Sequence, residues 1–545
     1  MILQALVQRY EDSGGMTTGW QKRFADFMLD IDGSGNVLHV TPLERQEEKK
    51  KIRRELRLPE EPRGRGIAIK PAFLCDNAGY LFGADPKRGE AKFAAAAQLH
   101  ADVLKDVDTP AANAIKRYFE NAPQPPEELS EQKNNCVFAV NGLFAQDDPQ
   151  IANAWNAYKP ANMSGETVRC LVSGAPDSLA RLHAKISLRG VSMGAQPLVS
   201  VNAESFASYG KTKDHPAAQI GENAAFAYAT ALNDLLKAEN HRMSIGDDTF
   251  VYWVENGGEA EAEAFSWFVT PKPDEEAALA TIMRRVMVGK AVETLDFEKR
   301  FYILCLSPNA ARISVRFFHT DAFGAILQNL ARHHKRLEII RPAYDDKEYL
   351  SLYALLSATV NPKSRDKNPA PLLGGAVLRD IITGADYPWT LYNAVLLRIK
   401  AGDEISRAKA AILKAFLIKN HKEEISVALD KENNEPAYAL GRLFSVLEQV
   451  QEAANGSSNV RERYFTSACA TPGAAFTPLL RLSVHHIAKL EDGLKVHYEK
   501  LKTELLSKLD AETAFPATFD MRQQGLFILG YYHQQQDRYT KKEDK

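Results

Sequence analysis

The sequence predicts an α+β N-terminal region with mixed or antiparallel sheets, followed by an all-α helical bundle. Three observations lead to this prediction. Strand-like runs recur up to about residue 345, and the last two of them form the segment Phe301–His319. Beyond residue 345 such runs stop, and segments with helical spacing of apolar residues follow one another. A chain of 545 residues is also too long for one hydrophobic core, so we expect domains divided as 1–345 and 346–545.

Short strands and helices alternate through the N-terminal region. The run Asp30–Asn36 resembles a calcium loop, but it lacks the closing Glu and the flanking helices of an EF-hand, so it favours a hairpin turn. A strand-turn-strand is predicted at Phe73–Gly83, with Asp76 and Asn77 in the turn. Apolar spacing predicts further helices at 2–10, 91–107, 109–121, 178–188, 222–236 and 274–288, and strands at 134–144, 168–172, 250–255 and 264–269.

The segment Phe301–His319 is predicted to form a β-hairpin. The runs Phe301–Leu306 and Arg312–Phe318 flank the turn Ser307–Ala310, which indicates a hairpin with a longer loop. A helix at Phe323–His334 follows. Alternation gives the second strand two faces, one with Ile313, Val315 and Phe317 and the other with Arg312, Ser314 and Arg316. The arginine face suits an anionic partner, although an ordinary sheet face exposed to solvent is the alternative.

The region after residue 345 is predicted to be helical throughout. One of its helices, Ile405–Asn420, shows how the bundle is expected to be arranged. Its apolar residues share one face, while Arg407, Lys409, Lys414 and Lys419 lie outside that face. We therefore expect a bundle with basic outer faces. The other helices are predicted at 348–360, 372–383, 389–400, 436–455, 461–469, 472–489, 491–509 and 526–536, before a charged tail at 541–545.

The composition is that of a soluble globular protein without a uniformly basic surface. The net charge is −2 and the pI is about 6.7, so any binding to nucleic acid must come from local basic patches. The five cysteines include no C-x-x-C pair, which favours free thiols in a reducing cytoplasm. We expect no signal peptide, because the start MILQALVQRY has no basic region ahead of its apolar residues and no cleavage site. We also expect no membrane span, because no apolar run approaches the ~18 residues required.

Two segments are locally basic. Pro42–Lys70 carries ten basic and six acidic residues, a net charge of +4, and its Pro-Arg-Gly-Arg-Gly sequence is a flexible loop that can follow a phosphate backbone. We therefore name Arg63, Arg65 and Lys70 as candidates for contacts with a phosphate backbone, which the resemblance described below implies to be that of duplex DNA; a solvated helix and a connector are the alternative. In a second polar loop, 208–221, Lys211 and Lys213 lie close to Tyr209, a grouping that suits a nucleic-acid strand.

No catalytic or cofactor-binding motif stands out in the sequence. There is no P-loop, no G-x-S-x-G and no H-E-x-x-H. The adjacent pairs His333-His334 and His485-His486 do not by themselves make metal sites, because neighbouring helical positions point about 100° apart. We therefore expect no catalytic residue, no metal and no cofactor.

Long stretches of the chain resemble the large subunit of the type I-C CRISPR Cascade complex, and the resemblance covers nearly the whole sequence. The stretches that carry it include MILQALVQRY, FLCDNAGYLFG, SFASYGK, ENAAFAYATALNDLL, FYILCLSPNAARISVRFF, GADYPWTLYNAVLLRIKA, ALDKENNEPAYALGRLFSVLEQVQ and RYFTSACATPGAAFTPLLRLSVHHIAKL.

The resemblance implies a non-catalytic role in RNA-guided antiviral defence. Such subunits recognise the protospacer-adjacent motif on double-stranded DNA, promote duplex opening and R-loop formation, and dock a helicase-nuclease. The implied partners are the guide RNA, the target DNA with its displaced strand, and the backbone, handle-binding and small subunits of Cascade. Motif reading is expected from polar side chains on loops that enter a groove.

On this reading, three sets of residues become candidates for DNA binding besides the basic loops. Asn77, Asn134, Asn135 and Asn141 are candidates for base edges, with satisfaction of turns as the alternative. The hairpin contributes Arg312 and Arg316. In the bundle, the candidates for strand contacts are Arg407, Lys414, Arg442, Arg461 and Arg463, with solvated helix faces as the alternative.

The resemblance also implies that the small subunit is made from an internal start within the same gene. Val427 is our candidate for that start, so the part from about residue 427 would also exist as a separate helical protein. Two other readings of the whole chain stay open at this point. One is a nucleic-acid-cleaving enzyme with a dispersed metal site, and the other is a structural helical adaptor without DNA contact.

Overall fold

The computed structural model describes residues 1–539, apart from 15–18, 48–49, 54, 63–67, 130–133, 162–165, 193, 202, 208–217, 371 and 511–513. The described chain forms two compact units, of which the first comprises 3–184 with 199–230 and the second 185–198 with 231 onwards. Strands end at Ala322, and every regular element described after it is a helix. The fold class predicted from the sequence is confirmed, whereas the boundary at residue 345 stays a prediction.

The elements follow one another in this order. Up to residue 237 they are α1 Ile2–Asp12, β1 Trp20–Phe24, β2 Phe27–Ile31, β3 Val37–Pro42, β4 Glu44–Glu47, β5 Lys50–Arg53, β6 Glu55–Pro59, β7 Cys75–Asn77, α2 Ala78–Leu81, α3 Gly89–Leu104, α4 Pro110–Asn121, β8 Asn135–Val140, β9 Leu143–Phe144, α5 Pro149–Ala161, β10 Thr167–Arg169, β11 Pro176–Ser178, β12 Lys185–Ile186, β13 Gln196–Pro197 and α6 Glu222–Lys237. The remainder are β14 Arg242–Ile245, β15 Asp248–Val254, α7 Glu259–Val269, α8 Glu276–Met287, β16 Arg300–Asn309, β17 Arg312–Ala322, α9 Phe323–Leu337, α10 Leu352–Ser357, α11 Leu373–Thr383, α12 Trp389–Lys400, α13 Arg407–His421, α14 Pro436–Asn455, α15 Val460–Ala470, α16 Pro472–Ile487, α17 Asp492–Ser507 and α18 Met521–Asp537.

The first unit is built on a five-stranded mixed sheet. Its order is β3-β2-β8-β7, with β9 also paired to β8, and only the β2–β8 pair is parallel. The central strand β8 is buried along most of its length, and α4 packs its aromatic residues against it. Tyr118 and Phe138 lie edge to face with ring centroids 5.0 Å apart, while the buried His100 ring packs 4.6 Å from Phe119. This aromatic layer holds the strand rigidly in place.

The second unit joins an antiparallel sheet to a large set of helices. The sheet has the order β14-β15-β16-β17, and every residue of β15 is buried. One face of the sheet packs on α7 and α9 through Phe265, Phe301 and Phe323. The same hydrophobic core then continues without a break into the helices that end the chain. Within the described part of the chain, no helix is long and apolar enough to cross a membrane.

The last helices are organised around α14 and α18, which cross at unusually short range. A Cβ placed on Gly441 of α14 would lie 1.9 Å from the carbonyl oxygen of Phe527, and one on Gly530 of α18 would lie 2.1 Å from that of Tyr438. Only glycine allows two helix backbones to come so close. Helix α14 also packs on α16 and α17, and α18 also packs on α13.

Several element predictions are correct, and others are wrong for identifiable reasons. The turn at Asp30–Asn36 is confirmed as a hairpin turn, because Asp32 accepts backbone hydrogen bonds from Ser34 and Asn36 at 2.9 and 2.8 Å. The strand predicted at 264–269 is wrong: those residues end α7, whose preceding Ala and Glu residues favour a helix. The helix predicted at 178–188 is instead irregular chain with short strands.

The predicted strand-turn-strand at Phe73–Gly83 is wrong in its second half. Asn77 ends the short strand β7, and its side chain then caps the short helix α2. The helical alternative for Pro42–Lys70 is also wrong, since three short strands lie in that segment. Finally, the hairpin after Arg300 is confirmed, but its loop is shorter than predicted: the strands pair as far as Asn309 and Arg312 around a two-residue turn.

Candidate nucleic-acid interface

An exposed turn between β8 and β9 presents one of the predicted base-reading residues. Asn141 and Gly142 have φ angles of +50° and +81°, the left-handed backbone that a two-residue hairpin turn with an Asn-Gly sequence adopts. The Asn141 N–H donates to the Ile31 carbonyl at 3.1 Å, and the Gly142 N–H donates to Asp30 at 2.9 Å. The next residue, Leu143, is 77% exposed. A rigid sheet therefore presents an amide and an apolar side chain to solvent.

The other three asparagines lie at the opposite end of β8. Asn77 and Asn135 are register partners on β7 and β8, and both are half-buried, as is the neighbouring Asn134. The Asn77 side chain accepts a hydrogen bond from the Gly79 N–H at 3.1 Å, which is the capping role named as the alternative. Asn141 is six residues further along, about 20 Å in an extended strand. The four candidate asparagines therefore lie at the two ends of β8 and do not form one site. Their role in reading bases stays a prediction.

The basic loops are only partly described. Arg63, Arg65, Lys211 and Lys213 lie outside the described residues. Lys70 is described and exposed, and its backbone N–H donates to the Tyr80 hydroxyl at 3.1 Å.

The second hairpin strand, β17, does not keep the two faces predicted for it. A bulge opposite Cys305 and Leu306 leaves Arg316 without a register partner, and it reverses the alternation of the strand at that point. Val315 is consequently 41% exposed, while Phe317 packs 6.0 Å from Phe250. The prediction that Val315 and Phe317 share the apolar face is therefore wrong.

Arg316 interacts with its own sheet. Its guanidinium donates to the Ser307 hydroxyl at 3.3 Å and lies 3.9 Å from a carboxylate oxygen of the buried Asp248. Burial raises the pKa of Asp248, although the Ser307 hydroxyl and the Arg316 charge act in the opposite direction. Asp248 also faces the first turn of α11, because a Cβ on Gly375 would lie 2.9 Å from its carboxylate. Arg316 thus helps to hold a carboxylate at a helix N-terminus; Arg312, nearer the turn, is half-buried.

The basic face predicted for α13 is wrong, because this helix is buried on nearly all sides. Arg407 is 7% exposed, and its guanidinium donates to Asp345 at 3.1 Å and to the carbonyls of Lys347 and Glu348. Lys414 is 2% exposed and donates to the Arg336 carbonyl at 3.3 Å. Burial lowers the pKa of Lys414 to about 8. These cations brace the preceding segment, and contact with DNA strands stays an untested prediction for both.

The three arginines of the later helices differ in exposure. Arg461 is half-buried, donates to the Asp403 carbonyl at 2.6 Å, and lies over the Phe465 and Tyr531 rings. Arg463 is exposed beside Tyr464, which suits contact with a strand. Arg442 is only 1% exposed, although it opens onto a cavity.

This cavity beside Arg442 was not predicted from the sequence. It has a volume of about 460 Å³ and lies where α14, α17, α18 and the segment before α14 meet. Because its residues come from four segments spread over more than a hundred positions, no local pattern could have indicated it. Its lining residues are Leu429, Lys431, Arg442, Gln449, His497, Lys500, Leu501, Glu504, Gln534, Asp537 and Arg538.

The paired histidines of α9 belong to the core. His333 shares a hydrogen bond of 2.6 Å with the Tyr387 hydroxyl, and His334 interacts at 2.7 Å with the Phe268 carbonyl. Burial lowers the pKa of both rings. Among the residues that the structure describes, no group of three or more His, Cys, Asp or Glu side chains could hold a metal ion.

The candidate internal start, Val427, lies in the connector between α13 and α14. Its carbonyl accepts a hydrogen bond of 2.7 Å from the Ile340 N–H. All five helices α14–α18 come after it, so a product that began there would contain the whole α14–α18 packing arrangement.

Comparison with protein families gives a match over almost the full chain. The family model described as CRISPR-associated protein (Cas_Csd1) matches residues 3–539. A search of curated proteins finds no match.

Proposed function

Because the chain belongs to the Cas_Csd1 family of CRISPR-associated proteins, a family of Cascade large subunits, we propose that it is the non-catalytic large subunit of a type I-C Cascade complex. The resemblance seen in the sequence is thereby confirmed at the level of the family. The observation that carries the proposal is the extent of the match, which leaves out only two residues at the start and six at the end of the 545.

In this role the protein recognises the protospacer-adjacent motif on double-stranded DNA, promotes duplex opening and R-loop formation, and docks the helicase-nuclease. Its partners are the guide RNA, both strands of the target, and the backbone, handle-binding and small subunits, and it acts in the cytoplasm. Base pairing with the guide supplies most of the sequence recognition, so the protein has only a short motif to read.

The turn Asn141–Leu143 is the feature of the first unit that best suits contact with duplex DNA. An amide side chain can pair with the edge of a base in a groove, and an exposed leucine can press between base steps and help to unstack them. Asn141 lies in the turn and Leu143 begins β9, and the turn is hydrogen-bonded to the central sheet, so little backbone freedom is lost on binding.

The proposal is tested with the complex assembled with and without this chain, by measuring its affinity for double-stranded target DNA. Loss of target binding on omission supports the proposal, and unchanged binding refutes it. The non-catalytic part is tested separately by incubating the purified chain with labelled DNA and Mg²⁺ or Mn²⁺. Cleavage that persists in an independently purified batch would refute that part.

We further propose that translation also begins at Val427 and gives a separate small subunit. A synonymous change of the Val427 codon that removes a GTG start should abolish the short product and leave the full chain intact. The hypothesis is refuted if the native codon is not GTG, or if the short product persists after the change.

A further inference from the structure

The cavity beside Arg442 is a polar site that the proposed function leaves unassigned. Its volume of about 460 Å³ lies within the range of about 300–1,000 Å³ that small-ligand sites occupy. Its wall carries the buried Arg442 guanidinium, and Lys431 and Lys500 are exposed at its rim. Four basic and two acidic side chains line it, which leaves an excess of two positive charges.

The charge of Arg442 is only loosely compensated within the protein. Its Nε donates to Gln534 at 3.1 Å, but its Nη atoms lie 3.4 Å from the Asp430 carbonyl and 3.5 Å from Glu504, which is itself half exposed. Charge-assisted hydrogen bonds normally measure about 2.7–2.9 Å. Neither rim lysine, Lys431 or Lys500, has an ion pair among the described residues. The cavity therefore favours an anion with several acceptor oxygens, such as a phosphate group.

The remaining lining suits a nucleobase. Gln449 donates its amide to the Ser445 hydroxyl at 3.1 Å, and Gln534 accepts from Arg442. Among the described residues, the Gln449 side-chain oxygen therefore stays open as an acceptor, and the Gln534 side-chain NH2 stays open as a donor. Amide groups of this kind pair with base edges. Leu501 adds an apolar surface, and His497 adds a ring of the kind on which bases stack.

We propose that this cavity binds one nucleotide of a single-stranded nucleic acid, with its phosphate at Arg442, Lys431 and Lys500 and its base against Leu501 and the two glutamine amides. The inference deepens the proposed function and rests on it, since a Cascade subunit lies against separated strands. A free nucleoside monophosphate has the same chemistry, so the experiment must distinguish these two sources.

The test compares two double variants of the full chain that remove the same charge. Lys431→Ala/Lys500→Ala removes the two rim cations of the cavity. Lys495→Ala/Lys502→Ala removes two lysines of α17 that do not line it and that pair with Asp492 and Glu499. Binding of a fluorescent single-stranded oligonucleotide is measured by anisotropy at constant salt. Loss of two phosphate contacts should weaken binding about tenfold in the cavity variant, and the control should change by less than about twofold.

Two further arms identify the source and the base. In the first arm, deoxythymidine monophosphate is added as a competitor, and it displaces the oligonucleotide if the cavity takes a free nucleotide. If only an unlabelled single-stranded oligonucleotide displaces the labelled one, the cavity takes a nucleotide within a strand. Both results support a nucleotide site in the cavity. An oligonucleotide with abasic positions keeps its phosphates, and it should bind the native chain about fivefold more weakly than the intact strand.

The proposal is overturned if both double variants weaken binding equally, if neither weakens it, or if abasic and intact strands bind alike. These results are separable from failure of the proposed function. If omitting the chain abolishes target capture by the complex while the cavity variant behaves like its control, the cavity inference fails and the proposed function stands.

Discussion

Replacing Gly441 with alanine gives the sharpest test of the packing in the C-terminal helices. The added Cβ would lie 1.9 Å from the Phe527 carbonyl oxygen, which belongs to the backbone of α18 and cannot rotate away. Carbon–oxygen contacts normally measure about 3.3 Å or more, so the two helices must separate by about 1.4 Å along this line. The neighbouring approach of Gly530 to the Tyr438 carbonyl is similarly close, so separating the helices at Gly441 also opens that contact.

Two opposing terms set the magnitude. Alanine in place of glycine inside a helix gains about 1 kcal/mol from helix propensity. Overpacking costs about 1–3 kcal/mol or more, and a rigid carbonyl places this site at the upper end. We therefore expect Gly441→Ala to lower the free energy of opening of α18 by about 2 kcal/mol or more. Gly493 of α17 is the matched control, because a Cβ there meets nothing within 4 Å.

Hydrogen exchange of the α18 amides, followed by mass spectrometry, measures this local opening directly. A loss of 2 kcal/mol should speed exchange about 30-fold. Gly493→Ala should leave exchange in α18 unchanged or slow it slightly. The packing argument fails if Gly441→Ala exchanges no faster than Gly493→Ala, because propensity would then outweigh the contact.

Other predictions concern pH, the sheet, the buried lysine and the turn. Burial lowers the pKa of His100 from 6.5 to about 4 and that of His533 from 6.5 to about 3. Both neutral rings therefore contribute fully to stability above pH 6.5, and this contribution falls at lower pH because the unfolded chain binds protons that the folded chain does not. Thermal unfolding at pH 5 should show a loss of about 2 kcal/mol in the free energy of unfolding for each histidine, and His100→Gln should remove the share of His100. Asp248→Ala should destabilise the second unit by about 1–3 kcal/mol in a denaturant titration, whereas Asp248→Asn should be close to neutral, because burial already disfavours the charged form. Lys414→Met replaces a buried cation by an apolar side chain of similar length, so the free energy of unfolding should be equal or higher, and the affinity of the complex for target DNA should not change. A shallower salt dependence of DNA binding would instead show that the Lys414 cation reaches DNA. Asn141→Gly keeps the turn and removes the amide, so discrimination between motif sequences by the complex should fall by about 1–3 kcal/mol, and equal discrimination would exclude Asn141 as a base reader.

The long regular elements were predictable because their signals are local. Pro at the first position and Gly after the last residue mark the bounds of α14, and the structure gives the predicted limits Pro436–Asn455. Apolar spacing likewise predicted α9, though the helix continues to Leu337. By contrast, the faces of β17 depended on a bulge that has no signature in its residues, and Val315 and Phe317 were therefore assigned to one face.

The candidate site was predicted less well, because exposure depends on tertiary packing. An apolar stripe on α13 implied a solvated opposite face, yet that face is covered too, and Arg407 and Lys414 are buried there. Residues 134–144 were predicted as strand throughout, although the structure divides them into β8 and β9. The Asn-Gly dipeptide between these strands favours a two-residue turn and was a local signal that could have shown the break. The cavity beside Arg442 was missed because its walls come together only when α14, α17 and α18 pack.

The Asn-Gly sequence of the turn at Asn141 and Gly142 is also of the kind that undergoes deamidation. In Asn-Gly sequences the glycine nitrogen can attack the asparagine side-chain carbonyl and release ammonia, and hydrolysis of the resulting ring leaves aspartate or isoaspartate. Here the Gly142 N–H is held by the Asp30 carboxylate at 2.9 Å, which keeps that nitrogen away from the attack. The same hydrogen bond that fixes the turn therefore preserves the uncharged side-chain amide of Asn141. Conversion of that amide to a carboxylate would place a negative charge where DNA phosphates are expected to approach.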